Sequence, residues 1–278
     1  MDIFPPPTTI LLKQANLKLT GPFRIELKDI TMIPSFFKTM PRIIGHRGAR
    51  GHAPENTLAS FKRAAELGTQ SVEIDVSVTK DNKTVIHHDS EVDRCTDGAG
   101  PVLLKTLEEI KALDAGSWYS NDFKGETIPT MAEALGCISA LNLSLNLEIK
   151  PCTGWQIPTA QIVGTELRDK NTFGLPILLS SFDIEALVAI GDMLPELPRG
   201  YLTKAIPPDW ERRLYEARAD SLHCQGQYVT KEIVQAVQKA GYKFLVYTVN
   251  DPDHAKQLLD WNVDAIITDY PDRLFPLL

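Results

Sequence analysis

Cysteine is scarce in this chain and long apolar runs are missing, and each shortage narrows what the protein is. Its four cysteines, Cys95, Cys137, Cys152 and Cys224, are scattered through 278 residues. None forms a C-x-x-C pair, which argues against a disulfide framework or a zinc site and for a reducing compartment. No apolar stretch approaches the roughly 20 residues of a membrane-spanning helix. The N-terminus carries Asp2 and Pro5-Pro6-Pro7 before a short Ile10-Leu11-Leu12, without the basic start and apolar core of a secretory signal. These absences predict a cytoplasmic, soluble protein. Positive charge is not in excess either: a net charge of -7 speaks against a nucleic-acid groove or stable association with an anionic membrane. No G-x-G-x-x-G or G-x-x-x-x-G-K-[ST] loop follows the first strand-like run, and no G-x-S-x-G elbow is present.

What is present is alternation. Short runs rich in Val, Ile, Leu and Phe fall near 42–46, 71–77, 143–149, 176–180, 198–202, 220–224, 243–249 and 263–268. Several lack a clean polar alternation, as strands covered on both sides do. Helical segments lie between them. Leu58–Leu67 follows the cap-competent Asn56-Thr57 and stops at Gly68; Lys231–Ala240 follows Thr230 and stops at Gly241. Others fall near 130–140, 156–169, 183–192, 208–219 and 251–260.

Eight strands with intervening helices predict an α/β fold, a TIM (β/α)8 barrel, for which a chain of this length suffices. An open doubly wound sheet is the runner-up, disfavoured by the missing phosphate loop. Thr84–His88 reads as an extra strand turned back on the second, and residues 89 to about 128 as a small inserted cap. Residues 1–40, with a short strand expected at Phe23–Leu27, read as an N-terminal extension, and 41–278 as the barrel domain.

The polar residues gather where a barrel keeps its active site. His46, Glu73, Asp75, Glu148, Lys150, Ser181, His223 and Asp269 all fall at or near the C-terminal ends of predicted strands. Glu73 and Asp75 are two apart and share a face, as do Glu148 and Lys150. A core face holds two carboxylates only if a cation answers them. Three carboxylates specify an oxygen-rich site for a hard cation, Mg²⁺ or Ca²⁺. Two histidines beside it, His46 and His88, suit proton transfer near neutral pH. Arg47 and Lys150 offer fixed positive charge for a phosphate. That set describes phosphoryl transfer better than acyl transfer.

In these residues the chain resembles the glycerophosphodiester phosphodiesterases, most closely the bacterial cytoplasmic ones, over about residues 42–272. The resemblance rests on HRG at 46–48 with PENT at 54–57, EID at 73–75, HHDSEVDRCTDGAG at 87–100, DAGSWYS at 114–120, EIKP at 148–151, LLSSF at 178–182 and YTVN at 247–250. It implies a TIM barrel with a small inserted cap. It also implies hydrolysis of glycerophosphodiesters, such as glycerophosphocholine or glycerophosphoethanolamine, to glycerol 3-phosphate and an alcohol. By the same resemblance His46 and His88 are the catalytic pair, Glu73, Asp75 and Glu148 hold the metal, and Arg47 and Lys150 contact phosphate. Tyr247 is a substrate-binding candidate by the same resemblance, although it departs from the Trp that many relatives carry there.

Other polar residues receive blander expectations. His223 ends a strand and is a candidate to line the pocket. Glu55 is expected to bond to backbone near the Asn56-Thr57 cap rather than to bind metal, Asp89 to orient its loop or to support a site residue from behind, His87 to be structural, and His52 and His254 to be solvated. Trp118, Tyr119 and Phe123 either cover the substrate or pack the cap. Two rivals remain: a barrel phospholipase acting on intact lipid, and a binding module without chemistry.

Overall fold

Eight short apolar segments pair, in chain order, into a closed parallel barrel in the computed structural model, which describes residues 36–169 and 174–278. The strands are β1 (Ile43–His46), β2 (Ser71–Val78), β4 (Ser144–Ile149), β5 (Ile177–Ser181), β6 (Arg199–Thr203), β7 (Ser221–Gln225), β8 (Lys243–Tyr247) and β9 (Ala265–Thr268). Pairing of β1 with both β9 and β2 closes the ring. The remaining strand, β3 (Thr84–Ile86), runs antiparallel along β2. The expected strand at Phe23–Leu27 lies outside the described residues.

Seven helices fall where the apolar spacing puts them, and three short ones join them among the described residues. After a four-residue turn of helix, α1 (Phe36–Thr39), come α2 (Leu58–Glu66), α3 (Leu107–Lys111), α4 (Met131–Ala140), α5 (Gln156–Asp169) and α6 (Ile184–Met193). Then follow α7 (Trp210–Ala217), α8 (Lys231–Lys239), α9 (Pro252–Asp260) and α10 (Pro271–Leu274). Thr57 caps α2 by accepting from the Ser60 N–H, and Thr230 caps α8 in the same way through Ile233. Among the described residues no helix is long and apolar enough to cross a membrane.

Strand alternation sorts the side chains into two populations. Leu145, Leu147 and Ile149 of β4 pack outward against the helices in the largest apolar cluster. Ser144, Asn146 and Glu148 therefore point into the barrel. Inside, an apolar cluster joins Phe36, Ile44, Leu178, Leu245, Ala265 and Ile267. Phe36 is fully buried there, a burial that contributes about 2–3 kcal/mol. Phe36 is thus part of the packed unit.

The insertion between β3 and α4 has a small core of its own, made of Val85, Val92, Val102, Ile110, Ala115 and Ile128. Its helix α3 starts on a reciprocal cap in which Thr106 bonds the Glu109 N–H and Glu109 bonds the Thr106 N–H. Trp118, Tyr119 and Phe123 stack edge-on in series, with Tyr119 and Phe123 facing His52 and Lys62 across a surface hollow. They do not line the cavity beside His88.

Candidate active site

Strand register brings the key groups together. The β1–β2 pairing sets His46 opposite Glu73, and the β2–β4 pairing sets Asp75 opposite Glu148. Glu73, Asp75 and the distant Glu148 thereby offer carboxylate oxygens that all lie within 4.8 Å of one another, and all three are buried. Burial, then the neighbouring Asp75 and Glu148, pushes the Glu73 carboxyl well above its usual range. Burial and Asp75 likewise push Glu148 up to about 7, against the pull of Lys150. Asp75 goes the other way: burial raises it, but Arg47, His88 and Lys150 together hold it below the ordinary carboxylate range.

The cluster fits a hard divalent cation. It supplies only oxygen donors, and like charges at this spacing are costly without a cation between them. Asp75 Oδ2 accepts from Asn56 Nδ2 at 2.8 Å, whereas its Oδ1 is buried without a hydrogen-bond partner among the described residues. A bound cation would satisfy that oxygen.

His46 ends β1. Its Nδ1 lies 2.7 Å from Asp269 Oδ1, and its Nε2 lies 3.9 Å from Glu73 Oε2. Asp269 follows β9, and its other oxygen accepts from Asn250 Nδ2 (2.8 Å) and Arg50 (3.2 Å). An ionised carboxylate can only accept, so the proton sits on Nδ1 and the lone pair on Nε2. Burial lowers the His46 imidazole below its usual value, and the Asp269 bond opposes this only in part. His88 repeats the arrangement: its Nδ1 lies 2.6 Å from Asp89 Oδ1, and burial lowers its pKa.

The turn after His46 is tightly built. Arg47 takes a left-handed backbone (φ 51°), and Gly48 follows at φ 87°. A side chain on Gly48 would sit 2.8 Å from the Ser60 backbone, so only glycine fits. This geometry aims the Arg47 N–H at Glu73 Oε2 (3.2 Å) and its guanidinium at Glu55 (2.5 Å) and Asp75 (3.4 Å). Arg47 Nε has no hydrogen-bond partner among the described residues. Lys150 donates to Glu148 at 2.8 Å and lies 5.5 Å from the Phe182 ring centroid. Phe182 meets Tyr247 edge-on, and the Tyr247 hydroxyl donates to the Thr203 carbonyl. A cavity of about 510 Å³ opens beside His88, Arg94 and Lys150; one of about 220 Å³ lies on the Phe182 side of Lys150.

Three expectations need correction. Glu55 does not serve the Asn56-Thr57 cap: its two oxygens take Arg47, Arg50 and Arg94, and these cations hold the buried carboxyl far below its usual range despite desolvation. His223 is fully buried inside the barrel rather than on an open pocket wall. Its Nε2 lies 2.9 Å from Ser221 Oγ, over the space left by Gly200, and desolvation lowers its pKa to about 3. His52 is tied to Asp272 at 2.7 Å instead of standing in solvent. His87 is buried, with Nε2 3.0 Å from the Glu91 carbonyl. Sequence reasoning missed Asn56, Asn250 and Arg94 as holders of the site, although they sit within the PENT, YTVN and HHDSEVDRCTDGAG motifs.

Comparison with known proteins agrees with this geometry. The glycerophosphoryl diester phosphodiesterase family model matches residues 46–273. A glycerophosphodiester phosphodiesterase of Caldanaerobacter subterraneus subsp. tengcongensis is 37% identical over 237 residues, covering 85% of this chain and 97% of the relative. A phosphodiesterase of Oleispira antarctica, whose structure holds the product sn-glycerol-3-phosphate, superposes with a TM-score of 0.84 at 40% identity. That match covers 87% of this chain and 98% of the relative. A glycerophosphodiester phosphodiesterase of Agrobacterium tumefaciens matches with a TM-score of 0.70 at 29% identity, covering 84% of this chain and 99% of that one. With register, site and family model in agreement over most of its length, the chain belongs to the glycerophosphoryl diester phosphodiesterase family.

Proposed function

We propose that the protein is a metal-dependent enzyme that hydrolyses glycerophosphodiesters, such as glycerophosphocholine or glycerophosphoethanolamine, to glycerol 3-phosphate and an alcohol. The observation that carries this reading is the trio of buried acids, Glu73, Asp75 and Glu148, with one Asp75 oxygen left unpaired beside His46 and Arg47. The product-bound Oleispira antarctica relative supports the substrate class.

Glu73, Asp75 and Glu148 would hold Mg²⁺ or Ca²⁺, which supplies Lewis-acid neutralisation of the phosphate charge when bound. Arg47, whose Nε faces Asp75 Oδ2 at 3.4 Å without a hydrogen bond, and Lys150 contact the phosphate oxygens. Tyr247 and Phe182 give the substrate an apolar wall. His46 and His88 divide the proton transfers. One imidazole takes the proton of the attacking oxygen as the new P–O bond forms. The other donates a proton to the departing alcohol oxygen as the old P–O bond breaks. Asp269 and Asp89 fix the ring orientation that leaves each Nε2 available. The attacking oxygen belongs either to water or to the glycerol itself, and detection of a cyclic phosphate separates the two routes. His223, sealed in the interior, is left without a substrate contact in this scheme.

The test is release of glycerol 3-phosphate from diesters of several headgroups, with chelator and with metal restored. Release that stops on chelation and returns with Mg²⁺ or Ca²⁺ is expected. No release from any diester, or release indifferent to chelation, ends the reading. His46→Ala and His88→Ala should each lose roughly 10²–10⁴-fold in kcat, and near-normal turnover by either removes that histidine from its role.

A further inference from the structure

Arg94 lies outside the proposed catalytic set, yet it is bonded at every nitrogen of its guanidinium. It belongs to the insertion, its side chain is 41% exposed, and it reaches across to a glutamate on the barrel that is only 3% exposed. Its two terminal nitrogens donate to the two oxygens of Glu55 at 2.8 and 2.9 Å. Its Nε donates to Asp89 Oδ2 at 2.7 Å. The other Asp89 oxygen lies 2.6 Å from His88 Nδ1. A continuous run of short contacts therefore joins Glu55, Arg94, Asp89 and His88. At its far end Glu55 also takes Arg47.

Geometry separates this run from an ordinary surface ion pair. A surface pair is worth little because two long side chains must be ordered in high dielectric. Here one partner is buried and is also bonded by two other arginines, Arg47 and Arg50, so the guanidinium is held on an anchored carboxylate. The planar fork satisfies Glu55 through two parallel bonds and still presents Nε to Asp89, a pattern a lysine cannot reproduce. Asp89 alone is a mobile acid on a loop, 28% exposed. Pinned by Arg94, it has one rotamer and one free oxygen, and that oxygen selects the His88 tautomer with the proton on Nδ1.

We infer that Arg94 is a positioning residue for the hydrolysis: through Asp89 it fixes the ring plane and tautomer of His88, and through Glu55 it locks that ring to the Arg47 side of the site. The inference rests on the catalytic role proposed for His88. It also gives the insertion a role in the reaction, since the segment after His88 carries the clamp that sets His88.

The test is a double-mutant cycle on the full chain, assayed for glycerol 3-phosphate release, with folding checked by circular dichroism. Arg94→Lys keeps the charge and removes the fork. It should lower kcat by about tenfold or more while moving KM less than threefold, as loss of orientation does. Asp89→Asn should lower kcat by at least as much. The double variant should be no slower than Asp89→Asn alone, because one relay is broken only once. In the pH profile of kcat the limb belonging to His88 should move upward in Arg94→Lys, since Asp89 then faces the imidazole with its negative charge less well compensated. A clamp that merely holds the insertion down would instead raise KM, lower the melting temperature, add its effect to that of Asp89→Asn and leave the pH limb in place. That pattern, or normal kcat in Arg94→Lys, overturns the inference. Should His88→Ala itself turn over normally, the function reading fails first, and the two failures are told apart by that control.

Discussion

Asp75 and Glu148 stand opposite each other on neighbouring strands, and Asp75 keeps one buried oxygen without a hydrogen-bond partner among the described residues. Their burial side by side is an unstable arrangement for two negative charges unless a cation lies between them. The site is thus built for function at a cost to the metal-free fold, and stability and activity should respond to mutation with opposite signs.

Glu73→Gln tests that opposition. Glutamine keeps the oxygen that accepts from the Arg47 N–H but removes one of three repelling charges. In chelator, the thermal midpoint should rise, by the equivalent of about 1 kcal/mol or more. In excess Mg²⁺, kcat should fall at least roughly 10²-fold, and the metal-induced gain in midpoint should shrink. Differential scanning calorimetry with and without metal measures the midpoints and a kinetic assay measures kcat; an unchanged metal-induced gain would remove Glu73 from the cation site.

Asp269→Asn tests the orientation of His46. The amide can present its N–H₂ to Nδ1, which turns the imidazole to the tautomer with the proton on Nε2. Expected is a fall in kcat of about 10²-fold or more with KM little changed. A normal kcat would mean that Asp269 serves only its bonds to Arg50 and Asn250.

Gly48→Ala should be among the most harmful of small changes. The backbone there is left-handed, and an added carbon meets the Ser60 carbonyl at 2.8 Å. A loss of about 2 kcal/mol or more follows from strain and overpacking together. The Arg47 turn would shift with it, so activity should drop even at temperatures where the variant stays folded. Urea unfolding at pH 7.5 beside a kinetic assay reads both, and wild-type stability would contradict the steric account.

His223 predicts a pH dependence of stability. Its folded value near 3 lies below the ordinary value of 6.5, so the fold favours the neutral ring. The contribution is fully present above about pH 6.5 and is lost as pH falls toward 3, at most roughly 1.4 kcal/mol per pH unit. Glu148, raised to about 7, acts with the opposite sign: its protonated form is favoured, and that contribution is lost as pH rises through 7. Both wild type and His223→Gln share the Glu148 effect. Their difference in unfolding free energy between pH 7.5 and 5 therefore isolates the histidine, and wild type should lose more. Parallel curves would count against a buried neutral ring.

Much of the fold was legible in the residues. Strands covered on both faces read as apolar runs, and all eight barrel strands fall within two or three residues of where those runs place them. Helix α3 escaped notice although Thr106 and Glu109 spell its cap, because one short turn inside a long polar connection has no apolar stripe to announce it. Strand-end position likewise singled out His46, Glu73, Asp75 and Glu148. It misled for His223, since alternation tells which way a side chain points but not whether the barrel seals over it.

Local pattern by itself determined the element order, the inward face of each strand and the residue types available for chemistry, because periodicity and turn signals are short-range. Only tertiary structure decided the partners: which arginines Glu55 holds, which carboxylate steadies each histidine, and which Asp75 oxygen stays bare. Those pairings join residues as far apart as His46 and Asp269, and they follow from ring closure and strand register, which no single segment contains.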